Sequence, residues 1–208
     1  MTSSRQPMTS KDPQKKSTLY PHSVNFSGRP PPPEGGYSWE EIEKAIDSQS
    51  LHVLRRTDKG QYEYERWQQN IDRSKHENVG EYIALEILLW PDLKDPAERQ
   101  DGADNLLAEE RYKIIEPRLT FRLNHHPFPV QESIQYYVLW STRDMSVLDE
   151  RDRLEKYLQH QLGRAASPEL IPPAVGKRKQ WMWFVNPIEL RSVASIHHLH
   201  VFVRDVDG

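Results

Sequence analysis

The pattern of apolar and polar positions changes about halfway along the chain. In the first half, apolar side chains recur every three or four residues, as in Trp39, Ile42 and Ile46, which is the spacing of one helical face. In the second half, apolar and polar residues alternate over Leu119–Leu123, as they do in a strand with one buried face. Helices followed by strands predict an α+β fold in which a helical N-terminal part packs on an antiparallel sheet.

Three helices are predicted in the first half. Ser38 and Glu41 form a capping box at the start of the first helix, because each side chain can bond the other residue's backbone N–H. The second helix covers about residues 59–73. The third begins at Asn78 and ends before Pro91, which has no N–H to donate.

Four strands and one further helix are predicted in the second half. Together with the three N-terminal helices, they are predicted to form a single domain over residues 37–208. The helix covers residues 147–162, and the Pro-rich, basic segment 164–179 is predicted to be a loop. The strands are predicted from β-branched, aromatic or alternating runs at 119–123, 134–140, 181–185 and 196–204.

Residues 1–36 are predicted to form a disordered tail. They are rich in Ser, Thr, Lys and Pro and hold seven of the chain's 16 prolines, so they cannot bury enough apolar surface to offset the entropy of ordering. The four prolines at positions 30–33 favour a polyproline II helix, on which a protein partner could dock. A plain linker is the alternative interpretation.

Charge and composition narrow the function classes. The 28 basic and 31 acidic residues nearly balance, which argues against a nucleic-acid partner and against a polybasic membrane-surface protein. No stretch reaches the roughly 18 apolar residues of a membrane span, and the N-terminus lacks the apolar core of a secretory signal. We therefore expect an intracellular protein, cytoplasmic or nuclear. The absence of cysteine excludes a disulfide scaffold, a thiolate metal site and a cysteine nucleophile.

The last predicted strand carries the clearest candidate chemistry. His198 and His200 lie two residues apart, so in a strand they share one face at a separation of roughly 6–7 Å. Such a pair can ligate a metal, bracket a phosphate, or supply a nucleophile or general base. The alternative is one histidine in the core and one half exposed. No metal is predicted, because no third ligand stands at a fixed spacing, although His125, His126 or Asp144 are candidates.

Polar residues near these histidines complete a candidate site. Asn186 and Ser192 can donate hydrogen bonds, Arg191 can neutralise a phosphate or carboxylate, and Asn124 can close the pocket from a turn. An ordinary turn role is the alternative for Asn186. These residues predict a pocket for a phosphorylated ligand or a nucleotide sugar. No cofactor can be assigned.

The same residues belong to an ordered set of motifs that resembles the fungal N-acetylglucosamine-induced protein family. The resemblance implies a link to amino-sugar-responsive metabolism, without a reaction. In this chain His125 and His126 replace the Asp and Trp of the family's central motif, and Tyr136 replaces a His, so Tyr136 joins the candidate ligand-binding residues. The matching motifs are Trp39-Glu40-Glu41-Ile42, Asn124-His125-His126-Pro127-Phe128, Trp183-Phe184-Val185-Asn186 and His198-Leu199-His200-Val201.

A weaker resemblance is to the histidine-triad nucleotide-binding proteins, in which the middle histidine attacks a nucleotide phosphate. Asn186, Ser192 and the two strand histidines look similar, but Phe202 takes the place of a third histidine. The sequence does not decide whether the protein is an enzyme. A non-catalytic regulatory or interaction protein is the alternative function.

Overall fold

A four-stranded antiparallel sheet forms the middle layer of the molecule, and helices cover both of its faces. The computed structural model describes residues 30–90, 118–143, 148–163 and 173–208. The spatial order of the strands is β1-β2-β4-β3, and the predicted α+β fold is confirmed. The strands are β1 (Leu119–Leu123), β2 (Ile134–Ser141), β3 (Lys177–Phe184) and β4 (His197–Asp207).

Among the described α-helices, all precede the sheet in sequence except one, which lies between β2 and β3. None of the helices in the described ranges combines the length and apolar character needed to cross a bilayer. The described helices are α1 (Trp39–Asp47), α2 (Asp58–Gln69), α3 (Val79–Tyr82), which continues as a π-helical turn (Ile83–Ile87), and α4 (Leu148–Gly163).

Local hydrogen bonds set the helix starts where the sequence predicts them. The Ser38 hydroxyl accepts from the Glu41 N–H at 3.2 Å, and the Glu41 carboxylate accepts from the Ser38 N–H at 2.8 Å. This confirms the capping box. Asn78 caps α3 in the same way, since its side-chain oxygen accepts from the Glu81 N–H at 3.0 Å.

The alternation of β4 assigns its side chains to two layers. Leu199, Val201 and Val203 pack against α4, whose buried contacts come from leucines four residues apart. His198, His200 and Phe202 lie on the opposite face, beneath the N-terminal helical part. Both histidines are therefore buried between the sheet and the helices that precede it. The leucines of α4 are Leu154, Leu158 and Leu162.

The start of β3 corrects one prediction. Residues 177–179 were expected to lie in a loop, but β3 begins at Lys177. The Lys179 ammonium lies 2.8 Å from the Asp205 carboxylate, and Lys177 pairs with Asp207, so the basic residues face acidic residues of β4. Local hydropathy does not reveal such cross-strand pairs, because the partners are more than twenty residues apart.

The last residues of the predicted tail contact the folded body. The Pro30 carbonyl accepts from the Arg55 Nε at 2.9 Å. Gly36 adopts a φ of +87°, and a Cβ there would lie 2.5 Å from the Val130 backbone, so only glycine fits. The next residue, Tyr37, forms a parallel bridge with Val130. Residues 1–29 of the predicted tail and residues 164–172 of the predicted loop lie outside the described residues.

Candidate functional site

A cavity of about 160 Å³ lies between the N-terminal helices and the histidine-bearing face of the sheet. Its walls come from α2 and the residue before its cap, the π-helical turn, the strands β1, β2 and β4, and the segments next to them. Exposed Leu123 and His125 at its rim open it to solvent. The lining residues are Arg56, Tyr64, Trp67, Ile83, Ile87, Arg122, Leu123, Asn124, His125, His126, Val138, Trp140, Ser192, Val193, His198 and His200.

His198 presents one ring nitrogen to this cavity. Its Nδ1 donates to the Ile196 carbonyl at 3.1 Å, which leaves the lone pair on Nε2. Among the residues that the structure describes, Nε2 has no hydrogen-bond partner, although the side chain is only 6% exposed. Burial lowers the pKa of His198, and the nearby Arg191 and His197 lower it further. The imidazole is therefore neutral at pH 7.

His200 is held at both ring nitrogens instead. The Asn186 Nδ2 lies 2.9 Å from Nε2, and the Tyr136 hydroxyl lies 2.6 Å from Nδ1. With the Asn186 amide donating to Nε2, Nδ1 carries the proton and donates to the Tyr136 oxygen. Burial lowers the pKa of His200 well below its ordinary value, and the charges of His198 and Arg56 add to this. The hydrogen bonds fix the ring and leave neither nitrogen available for a ligand.

The other predicted site residues divide between the cavity wall and the layer behind it. Asn124 lines the cavity, and its side-chain oxygen accepts from the His126 N–H at 2.9 Å. Ser192 also lines it and contacts the Tyr64 hydroxyl. Arg191 lies behind, where its Nε donates to the Asn186 carbonyl at 2.9 Å. The structure therefore brings four predicted residues to the wall (Asn124, Ser192, His198, His200) and three to supporting positions (Tyr136, Asn186, Arg191).

Sequence reasoning assigned no role to Arg56, a half-buried cation of the cavity wall. Its Nε donates to the His126 carbonyl at 2.8 Å, and its guanidinium lies 4.1 Å from the centre of the Tyr64 ring. Burial lowers its pKa, but an arginine stays charged in a protein. The adjacent Arg55 is turned away from the cavity and pairs with Asp58 at 2.9 Å. No pattern in the sequence distinguishes these two arginines.

Aromatic side chains form the part of the wall next to Arg56. The indole of Trp67 and the ring of His126 are 4.8 Å apart between centroids, and Tyr64 lies 5.2 Å from the same histidine. Tyr64 and Trp67 lie three residues apart on one face of α2, with ring centroids 5.5 Å apart, and both border the cavity. Burial lowers the pKa of His126, helped by the charge of Arg56.

The charge of the cavity wall is one-sided. Its lining set contains two arginines and four histidines and, within the described residues, no aspartate or glutamate. This contrasts with the net charge of −3 for the whole chain. No group of three or more histidine or carboxylate side chains that could hold a metal ion occurs in the described ranges, and Asp144 lies outside them. The lining set suits an anion.

Comparison with known proteins places the chain in a family. Residues 38–204 match the family described as "Protein of unknown function (DUF3605)". The chain belongs to this family. It is 22% identical to N-acetylglucosamine-induced protein 1 of Candida albicans, over 92% of this chain and 76% of that protein. It is 27% identical to Uncharacterized protein YPL067C of Saccharomyces cerevisiae, over 81% of this chain and 79% of that protein.

These matches confirm the predicted similarity to the N-acetylglucosamine-induced proteins. They give no support to the predicted similarity to histidine-triad nucleotide-binding proteins. A solved structure titled "Crystal Structure of HTC1" aligns with a TM-score of 0.49 at 25% identity, covering 81% of this chain and 85% of that chain. At that TM-score the likeness carries no argument about fold or function.

Proposed function

We propose that this DUF3605 protein binds a small phosphorylated ligand in the cavity, with Arg56 neutralising the phosphate and His198 sharing a proton with it. The observation that carries the proposal is the wall itself. It combines a partly buried guanidinium and an imidazole Nε2 without a hydrogen-bond partner, and no aspartate or glutamate among the described residues lines it to repel an anion. An anionic ligand would give the His198 Nε2 a hydrogen-bond partner and would pair with the charge of Arg56.

The proposal predicts the number of protons that are taken up when the ligand binds. A phosphate monoester near pH 7.5 is a dianion with no proton to donate, and the neutral Nε2 of His198 also has none. The two can form a hydrogen bond only if one proton is added between them. Binding should therefore take up a proton, and affinity should fall by up to about tenfold per pH unit as pH rises towards 7.5. A metal held by the same histidines would give the opposite slope.

The Tyr136–His200–Asn186 network would hold this arrangement in place. His200 packs beside His198 with ring centroids 5.4 Å apart, and its hydrogen bonds fix its ring from β2 and from the segment after β3. We assign His200, Tyr136, Asn186 and Arg191 to positioning, and Asn124 and Ser192 to ligand hydrogen bonds. A protein partner for the Pro-rich tail stays a prediction, since residues 1–29 lie outside the described part.

The name of the Candida albicans relative suggests which ligands to test first. Calorimetric titration would compare N-acetylglucosamine 6-phosphate, UDP-N-acetylglucosamine and inorganic phosphate with unphosphorylated N-acetylglucosamine. We expect phosphorylated compounds to bind, and Arg56→Gln to weaken binding by at least about tenfold, because a charge-assisted bond is lost.

The matched control is Arg151→Gln. Arg151 is exposed on α4 and lies over Trp183, on the other face of the sheet, so this change should leave binding unaltered. Circular dichroism would verify that both variants fold. Equal binding by wild type and Arg56→Gln, or failure of every phosphorylated compound to bind, would contradict the proposal.

A further inference from the structure

The cavity has two unlike parts. Three of its polar groups, Arg56, Asn124 and Ser192, gather around Tyr64 and the turn that follows β1, and His198 lines the same cavity from β4, beside Trp140. Much of the remainder is an apolar wall whose members belong to, or pack against, a single buried cluster; the lining residues of this wall are Trp67, Ile83, Ile87, Trp140 and Val193. Inorganic phosphate would contact only the polar groups and would leave the apolar wall exposed to water.

The apolar wall is shaped by the π-helical turn. The Leu88 N–H donates to the Ile83 carbonyl at 2.8 Å, five residues back, which widens the helix here. Ile83 and Ile87 lie on the same side of this turn, and both line the cavity. Such turns often occur at functional sites, because they redirect side chains without ending the helix.

Two indole rings add flat surfaces to this wall. Trp67 comes from α2 and Trp140 from β2, and both pack against the same apolar cluster. The ring centroids of Trp140 and His198 are 5.0 Å apart, so this indole packs beside the imidazole that is proposed to bind the phosphate. Flat aromatic faces next to hydrogen-bonding groups suit a ring with an apolar face and a polar edge.

The volume limits the size of that ring. The interior of the cavity, behind its open rim, has a volume of about 160 Å³, close to the roughly 150 Å³ of an engineered cavity that admits benzene. One six-membered ring fits this space. A nucleotide sugar, with a base, two sugars and two phosphates, does not, and most of it would remain in solvent.

We infer that the ligand is the monophosphate of a single sugar ring, with its phosphate at Arg56 and His198 and its C–H face on the indole of Trp67. Its hydroxyl groups would meet Ser192 and Asn124. This inference rests on the proposed function and narrows it to one ligand class. Trp67 then determines the specificity for a sugar ring, whereas Arg56 binds the phosphate group of any ligand.

The test measures the affinity of wild-type protein for inorganic phosphate, glucose, glucose 6-phosphate and UDP-glucose by calorimetry at one pH. We expect glucose 6-phosphate to bind at least about tenfold more tightly than inorganic phosphate and than UDP-glucose. Equal affinity for phosphate and glucose 6-phosphate, or tighter binding of UDP-glucose, would overturn the inference and leave the proposed function standing. Failure of all three phosphate-bearing compounds would overturn both.

A variant separates the indole from the phosphate site. Trp67→Leu should remove the preference for glucose 6-phosphate while leaving the affinity for inorganic phosphate within about twofold. Trp183→Leu is the control, since Trp183 lies on the other sheet face and bonds Glu155. Unchanged preference in a folded Trp67→Leu protein would refute the role of the indole. If that variant does not fold, the wild-type comparison decides the inference alone.

Discussion

Acidification from pH 7.5 to 5.5 should destabilise this protein, and His200 should account for a defined part of the loss. His200 is 6% exposed, both its ring nitrogens are bonded in the neutral state, and burial holds its pKa well below the ordinary 6.5. Its surroundings offer no carboxylate in the described part of the cavity wall, while Arg56 and His198 oppose protonation. In the unfolded chain the same histidine takes up a proton freely below pH 6.5.

The sign and size follow from the difference in bound protons. Between pH 6.5 and 5.5 the unfolded state binds more protons than the folded state, so the free energy of unfolding falls as pH falls. The contribution of neutral His200 to this free energy is fully present above pH 6.5. For one histidine that stays neutral when folded, the change between pH 7.5 and 5.5 is about 1.4 kcal/mol. Carboxylates change little in this window, because their ordinary pKa values lie near 4.

Urea unfolding at both pH values would measure this quantity as a difference between proteins. His200→Gln keeps an amide that can form hydrogen bonds but has no group that titrates in this range. The difference in free energy of unfolding between pH 7.5 and 5.5 should therefore be about 1.4 kcal/mol smaller in this variant than in the wild-type protein. His160→Gln, which changes an exposed histidine on α4 away from the cavity, is the matched control. Identical pH dependence in wild type and His200→Gln would refute the reasoning.

Two further changes test the layers on either side of the sheet. Tyr136→Phe removes the hydroxyl that is bonded to His200 at 2.6 Å. It should lower the free energy of urea unfolding by about 1–3 kcal/mol, because a buried ring N–H loses its acceptor. A smaller loss than in Tyr157→Phe, whose hydroxyl contact is 3.5 Å, would contradict this. Leu158→Ala empties a fully buried position on α4 and should cost about 2–5 kcal/mol while leaving phosphate affinity unchanged in the folded protein. A changed affinity would mean that α4 reaches the site.

Features encoded by near neighbours were predictable from the sequence. Ser38 and Glu41 are three residues apart, so the capping box is visible in the sequence. The shared face of His198 and His200 follows from the two-residue period of a strand. In both cases the backbone geometry of one element fixes the relation between the residues.

Features that join distant segments were not predictable. Arg56 reaches the cavity because it bonds the His126 carbonyl, 70 positions away, and only folding distinguishes it from Arg55. His200 loses its free nitrogens to Tyr136 and Asn186, which lie 64 and 14 positions away. The start of β3 depends on lysines that pair with Asp205 and Asp207 across the sheet. These contacts depend on tertiary packing, for which hydropathy and spacing give no signal.

The central claim is that a phosphate in this cavity shares a proton with His198. Calorimetry of glucose 6-phosphate binding at pH 7.5, repeated in buffers with different ionisation enthalpies, counts the protons taken up on binding. The wild-type protein should take up about one proton on binding and His198→Gln about none, because the proton is proposed to lie between the phosphate and the His198 Nε2. No proton uptake by the wild-type protein, or the same uptake after His198→Gln, would contradict it.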